Sequence, residues 1–220
     1  WPFSHFGLFH YIVVRKPEPR LNLTSNGKSS NPSISIIIPA RNEAGTIEKI
    51  ANELPNLGSF TEIIFIEGNS TDNTYEEIKR AVKEMENVKT NPPTGGENDN
   101  EKLKNSDQAD NLTRKIFKYT KQDGEGKGDA VRKGFEMATG DILAIYDADM
   151  TVPANEIEKF YDAIVENKGD FINGSRLVYP LQKESMRVLN FFGNKFFSLA
   201  FSWILGQPLK DTLCGTKVLW

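Results

Sequence analysis

Gly140-Asp-Ile-Leu-Ala-Ile-Tyr-Asp-Ala-Asp149 sets an apolar run, Ile142–Tyr146, directly before two carboxylates separated by one residue. Bounded by Gly140 and Pro153, the run reads as a short buried strand. In open α/β sheets ligands bind just beyond the carboxyl ends of strands, so Asp147 and Asp149 would emerge where a substrate docks. Such a pair can hold a hard divalent cation against a phosphate-bearing ligand. It can also divide labour as nucleophile and acid. A solvated turn is the simplest alternative, because Asp is common where strands end.

Outward from this stretch the pattern alternates. Ser33–Ile38 is a β-branched run ended by Pro39, and Ala44–Leu57 has helical spacing at Ile47, Ile50, Ala51 and Leu54. Thr61–Ile66 is a second strand, and Thr71–Met85 a helix capped by Ser70 or Thr71. Strand Lys115–Tyr119, helix Asp129–Met137, strand Asp141–Tyr146, helix Pro153–Glu166 and strand Phe171–Asn173 follow. Strands alternating with helices predict an α/β domain with a mostly parallel, Rossmann-like sheet flanked by helices.

Residues 33–220 form that domain, and residues 1–32 read as a tail and linker. Trp1–Val14 fits the end of a preceding fused domain, and the Trp at each end suggests a piece of something longer. Residues 91–111 contain Pro-Pro, Gly-Gly and many polar residues, with Leu103 the only large apolar one. They read as a disordered surface insertion. Ser185–Leu205 is a helix crowded with Phe, Leu and Trp203, read first as core or subunit interface and second as a membrane-surface helix.

Composition narrows the function. The 220 residues carry a formal net charge of −3, which gives no footprint for nucleic acid. His5 and His10 are the only histidines and Cys214 the only cysteine, so a His-based zinc site or Ser-His-Asp triad is improbable. Any metal would be held by oxygen. No run approaches the roughly 20 apolar residues of a membrane span, and Trp1–Val14 lacks the basic start of a secretory signal. A cytoplasmic setting fits the single cysteine.

Four strand ends converge in such a sheet. They carry Pro39-Ala40-Arg41-Asn42-Glu43, Glu67-Gly68-Asn69-Ser70, the loop Gly124–Asp129, and the Asp pair. Acidic side chains that read ribose or base, with glycines and a lysine near diphosphate, suit a nucleotide. The glycine loop fails the P-loop pattern, since Gly128 follows Lys127.

The chain here resembles the family 2 glycosyltransferases of GT-A fold, in the branch of dolichyl-phosphate mannose synthase and polyprenyl-phosphate sugar transferases. The resemblance rests on residues 36–43, 67–74, 126–135 and 140–149, with further matches at Asn-Gly-Ser-Arg (173–176) and Asp-Thr-Leu-Cys-Gly-Thr-Lys (211–217). It implies an inverting transfer from a nucleoside-diphosphate sugar, the donor partner. A lipid-phosphate acceptor at a membrane surface is one implied partner, and a hydroxyl acceptor stays open.

It also implies roles. Pro39, Ala40, Arg41 and Glu43 would line the nucleotide, with Glu67 at the base. Lys127 and Asp129 would lie in the loop closing the pocket. Asp147 would sit near ribose and metal, and Asp149 would ligate Mg²⁺ or Mn²⁺. Arg176 and Arg187 would face an acceptor phosphate. Asp211 is the candidate base for a hydroxyl acceptor. Gly68 and Thr151 depart from the family pattern and leave donor preference open. Two rivals remain: a haloacid-dehalogenase-like phosphatase using Asp147-Ala-Asp-Met-Thr151, and an inactive nucleotide-sugar-binding module.

Overall fold

A computed structural model describes residues 10–14, 31–90, 114–175, 196–200, 202–204, 206 and 215–220. Seven strands form one sheet: β1 (His10–Val14), β2 (Ile34–Ala40), β3 (Phe60–Glu67), β4 (Arg114–Lys121), β5 (Ile142–Ile145), β6 (Phe171–Ser175) and β7 (Lys217–Leu219). Their order is β1-β6-β7-β5-β2-β3-β4. Strands β4, β3, β2 and β5 pair in parallel. β7 runs antiparallel between β5 and β6, and β1 closes the far edge antiparallel to β6. The helices that flank it are α1 (Ile47–Glu53), α2 (Thr74–Thr90), α3 (Gly126–Met137) and α4 (Ile157–Val165).

The central strands are apolar on both faces because both are covered. Ile36, Ile38, Ile63 and Phe65 join a core with Ile47, Ile50 and Ile78 from α1 and α2 and Phe160 from α4. On the opposite face, Ile37, Ile64 and Ile66 pack with Ala130 and Phe135 of α3. Strands buried on both sides read as continuous runs such as Ile-Ile-Ile, without alternation. Gly134 lets α3 lie close on β2: a Cβ there would stand 2.3 Å from Ile37 Cγ2.

Chain order turns at β2. β2, β3 and β4 proceed in one direction, whereas β5 lies on the other flank of β2. That reversal makes β2 and β5 the topological switch point, and a crevice opens at their carboxyl ends. The opposite end is held by a buried network. Glu62, 0% exposed, accepts hydrogen bonds from Ser35 Oγ at 2.5 Å, Thr139 N at 2.9 Å and Thr139 Oγ1 at 3.0 Å. Lys118 Nζ lies 2.5 Å from Glu62 Oε1. Burial pushes this carboxyl upward, but Lys118, Ser35 and Thr139 together outweigh it and hold it below the ordinary value.

Several sequence expectations shift. The first helix is shorter than expected, because residues 44–46 form the turn that leaves β2. α2 starts at Thr74, and Asp72 rather than Ser70 or Thr71 supplies the starting bond, accepting from Thr74 N at 2.9 Å. α3 starts at Gly126, so Lys127 and Asp129 lie on its first turn and not in a loop. Asp129 makes this early start feasible by accepting from Gly124 N at 2.8 Å. Residues 196–200 and 202–204 are helical, yet Phe196, Leu199, Trp203 and Ile204 are 63–86% exposed. Those four side chains are therefore not core. The expected insertion at 91–111 lies outside the described residues.

Candidate active site

An open cleft of about 280 Å³ lies at the carboxyl ends of β2 and β5. One wall is Pro39, Ala40, Arg41 and Glu43, and the other is Asp147, Ala148 and Asp149. Gly126, Lys127 and Ala130 from α3 form its end, with Gly68 and Gln122 behind. Seven of the residues expected from sequence thus meet in one place. Glu67 and Asp129 are not on the cleft wall. Arg176, Arg187 and Asp211 lie outside the described residues.

The β2 wall is stapled to the loop after β3. Asn42 N donates to Ser70 Oγ at 3.1 Å, and Thr71 N donates back to Asn42 Oδ1 at 2.8 Å. Glu43 N donates to Thr74 Oγ1 at 2.8 Å, while Gly68 N donates to Ala40 O at 2.8 Å. Asn42 and Asn69 both take positive φ, 58° and 57°, which Asn tolerates better than most residues. Short polar side chains in this Asn/Ser/Thr/Asp segment can bond backbone across two loops. That presents Arg41 and Glu43 rigidly.

The acid loop is held at its base. Tyr146 is fully buried, and its hydroxyl donates to Val152 O at 2.5 Å, bridging the loop that carries both carboxylates. Inside it Met150 N donates to Asp147 O at 3.2 Å, Thr151 N to Asp149 Oδ1 at 3.0 Å, and Met150 adopts φ 53°. A left-handed Met costs on the order of 1 kcal/mol, tolerated where surroundings impose it.

Carboxylates crowd one another around the cleft. Glu43 is shifted upward, first by burial and then by the charges of Asp149, Asp72 and Asp147. The Lys127 ammonium forms an ion pair with Asp147 Oδ1. Gly126 and Lys127 also begin α3, whose free N–H groups favour anions. Among the described residues no group of three or more His, Cys, Asp or Glu side chains could hold a metal. Asp147 and Asp149 offer carboxylate oxygens, the ligand type that hard divalent cations such as Mg²⁺ and Mn²⁺ take.

Glu67 has a different setting. It is 1% exposed, accepts from Ser70 N at 2.5 Å, and lies 3.8 Å from Lys121 Nζ through Oε2, which accepts no hydrogen bond. Gly68 and Gln122 were not singled out from sequence as binding residues. Gln122 Nε2 donates to Gly124 O at 3.1 Å, joining the back of the cleft to the glycine turn. Its position directly after a strand that ends at the same edge was the available signal.

A sheet of this topology, with an acid pair at its switch point, defines a GT-A glycosyltransferase scaffold. Glucosyl-3-phosphoglycerate synthase of Mycobacterium tuberculosis, solved with Mn²⁺, UDP and phosphoglyceric acid, shares the fold at TM-score 0.50 and 19% identity, over 86% of this chain and 55% of that one. The model of glycosyl transferase family 2 matches residues 35–91 and 97–215, and the chain belongs to that family. Glycosyltransferase AglJ of Haloferax volcanii is 27% identical over 84% of this chain. The UDP-N-acetylglucosamine–dolichyl-phosphate N-acetylglucosaminyltransferase of Methanococcus voltae is 26% identical, also over 84%. This chain spans 49% and 68% of their respective lengths. The dolichyl-phosphate branch expected from the motifs is therefore represented among its relatives. A match over both residues 35–91 and 97–215 also removes the phosphatase alternative, which rested on the acid segment alone.

Proposed function

We propose that this chain carries the donor site of a metal-dependent, inverting glycosyltransferase that moves a sugar from a nucleoside diphosphate to a polyprenyl phosphate. The observation that carries this reading is the meeting of Arg41, Glu43, Lys127, Asp147 and Asp149 in one cleft. Lys127 and the α3 N-terminus suit the diphosphate, and Glu43 suits a ribose hydroxyl. The resemblance gives Glu67 to the base; it is buried and off the cleft wall, with Gly68 next to it in the chain lining the cleft. Asp147 and Asp149 would hold the metal.

Held by Asp147 and Asp149, such an ion would supply positive charge toward the leaving diphosphate. Lys127 adds a second positive charge at the same end of the cleft. An acceptor phosphate is already anionic, so attack on the anomeric carbon from the face opposite the diphosphate needs no strong base. The family resemblance gives Arg176 and Arg187 to that phosphate, and Asp211 is the candidate base for a hydroxyl acceptor. Among the described residues no helix is long and apolar enough to cross a membrane. Exposed Phe196, Leu199, Trp203 and Ile204 instead support contact with a membrane surface, where the lipid acceptor would be met.

Thermal unfolding with UDP, GDP and their sugar conjugates, with and without Mn²⁺, tests the donor site. A ligand at 100 times its Kd adds about 2.7 kcal/mol, a shift of roughly 5–10 °C at this size. One nucleotide family should stabilise, and the effect should vanish without metal and in Asp149→Ala. Absence of any nucleotide effect on folded protein would refute the reading. Donor consumption once polyprenyl phosphate is supplied separates an enzyme from an inactive binding module.

A further inference from the structure

Asp147 is approached from behind by a distant part of the chain. Gly215 is buried two residues before β7 begins, and a Cβ built there would stand 1.6 Å from Asp147 Oδ2 and 2.3 Å from its Cγ. Real Cβ atoms essentially never come within 3.0 Å of such a neighbour. The backbone does not itself demand glycine, because Gly215 is not among the positive-φ residues. What the position demands is space.

Of the two parties to that collision, one can yield and one cannot. Gly174 N donates to Thr216 O at 3.0 Å, and β7 is paired on both sides, Lys217 opposite Ile145 of β5 and Asn173 of β6. The backbone beside Gly215 is thus anchored by the sheet. The Asp147 carboxylate ends a short side chain that is 20% exposed and engaged by Lys127. An added methyl would be accommodated by rotating Asp147 away, at little cost to the fold and at high cost to the cleft.

We propose that Gly215 is a positioning residue for Asp147, its missing side chain leaving the seat that aims the carboxylate into the cleft and toward Lys127. The consequence for ligand rests on the donor-site reading above, whereas the displacement of Asp147 does not. Wild type, Gly215→Ala, Asp147→Ala and the double variant are compared by Mn²⁺ titration in the presence of UDP and of GDP, by melting temperature, and by the crystal structure of Gly215→Ala. Gly215→Ala should melt within about 3 °C of wild type. Its nucleotide-dependent Mn²⁺ affinity should fall by about 10-fold or more, as for other residues that orient a metal ligand.

Asp147→Ala removes the atoms that the new methyl would meet, so the double variant should bind no more weakly than Asp147→Ala alone. A crystal structure with the carboxylate unmoved, additive losses, or failure of Gly215→Ala to fold would each overturn the proposal. Unchanged affinity in Gly215→Ala would do the same. If wild type binds neither nucleotide, the donor-site reading falls, and the Asp147 position in Gly215→Ala still decides this one.

Discussion

Replacing Lys127 by Met removes a lysine from the cleft wall while keeping the length and apolar stem of the side chain. The Lys127 side chain is 49% exposed and that of Asp147 20%, so their pair lies largely in water-like dielectric. Exposed pairs contribute about 0–1 kcal/mol, which predicts a melting shift under about 4 °C. A hydrogen bond from an ammonium to an ionised phosphate is worth about 1.5–3 kcal/mol, or roughly 10–150-fold in Kd. Isothermal titration with whichever of UDP and GDP stabilises wild type, in Mn²⁺, should show that loss. The same change leaves Asp147 without its counter-charge, so Mn²⁺ titrated without nucleotide should bind the variant more tightly. Nucleotide affinity within threefold of wild type would refute the assignment of Lys127 to the diphosphate.

Glu62→Gln should cost about 1–3 kcal/mol at pH 7, because an amide cannot accept from Lys118, Ser35 and Thr139 at once. The folded carboxyl titrates below its ordinary 4.5, so its contribution is present above that value and lost as pH falls through the folded one. Denaturant unfolding should therefore show the gap between wild type and variant closing in acid; a gap constant with pH would contradict the network. Tyr146→Phe leaves Val152 O without its buried donor and should lower stability by about 1–2 kcal/mol. It should also weaken Mn²⁺-dependent nucleotide binding, since Tyr146 closes the loop bearing Asp147 and Asp149; binding unchanged by calorimetry would detach that hydroxyl from the site.

Much of this architecture is local and can be read from sequence. The doubly buried strands announce themselves as Ser-Ile-Ile-Ile and Ile-Ile-Phe-Ile, because a parallel strand covered on both faces has no polar side. Ile142–Tyr146 followed by two carboxylates locates the acid pair at a strand end, and Pro39–Glu43 locates its opposite wall. Residue pattern was a poorer guide to boundaries. Asp129 was expected in a closing loop, but its carboxylate reaches back to Gly124 and allows α3 to begin at Gly126.

Sequence by itself determined the alternation of strands and helices, the edge of the sheet that carries chemistry, and the residue types gathered there. Those properties follow from periodicities of two to four residues and from polar groups placed directly after apolar runs. Tertiary structure decided which strands are neighbours, including the antiparallel β7 between β5 and β6. It also decided that Gln122 backs the cleft, that Glu67 is buried beside it, and that Gly215 abuts Asp147. Those facts depend on contacts between residues far apart in the chain, whose spacing carries no period, and on volumes that appear once the sheet closes around them.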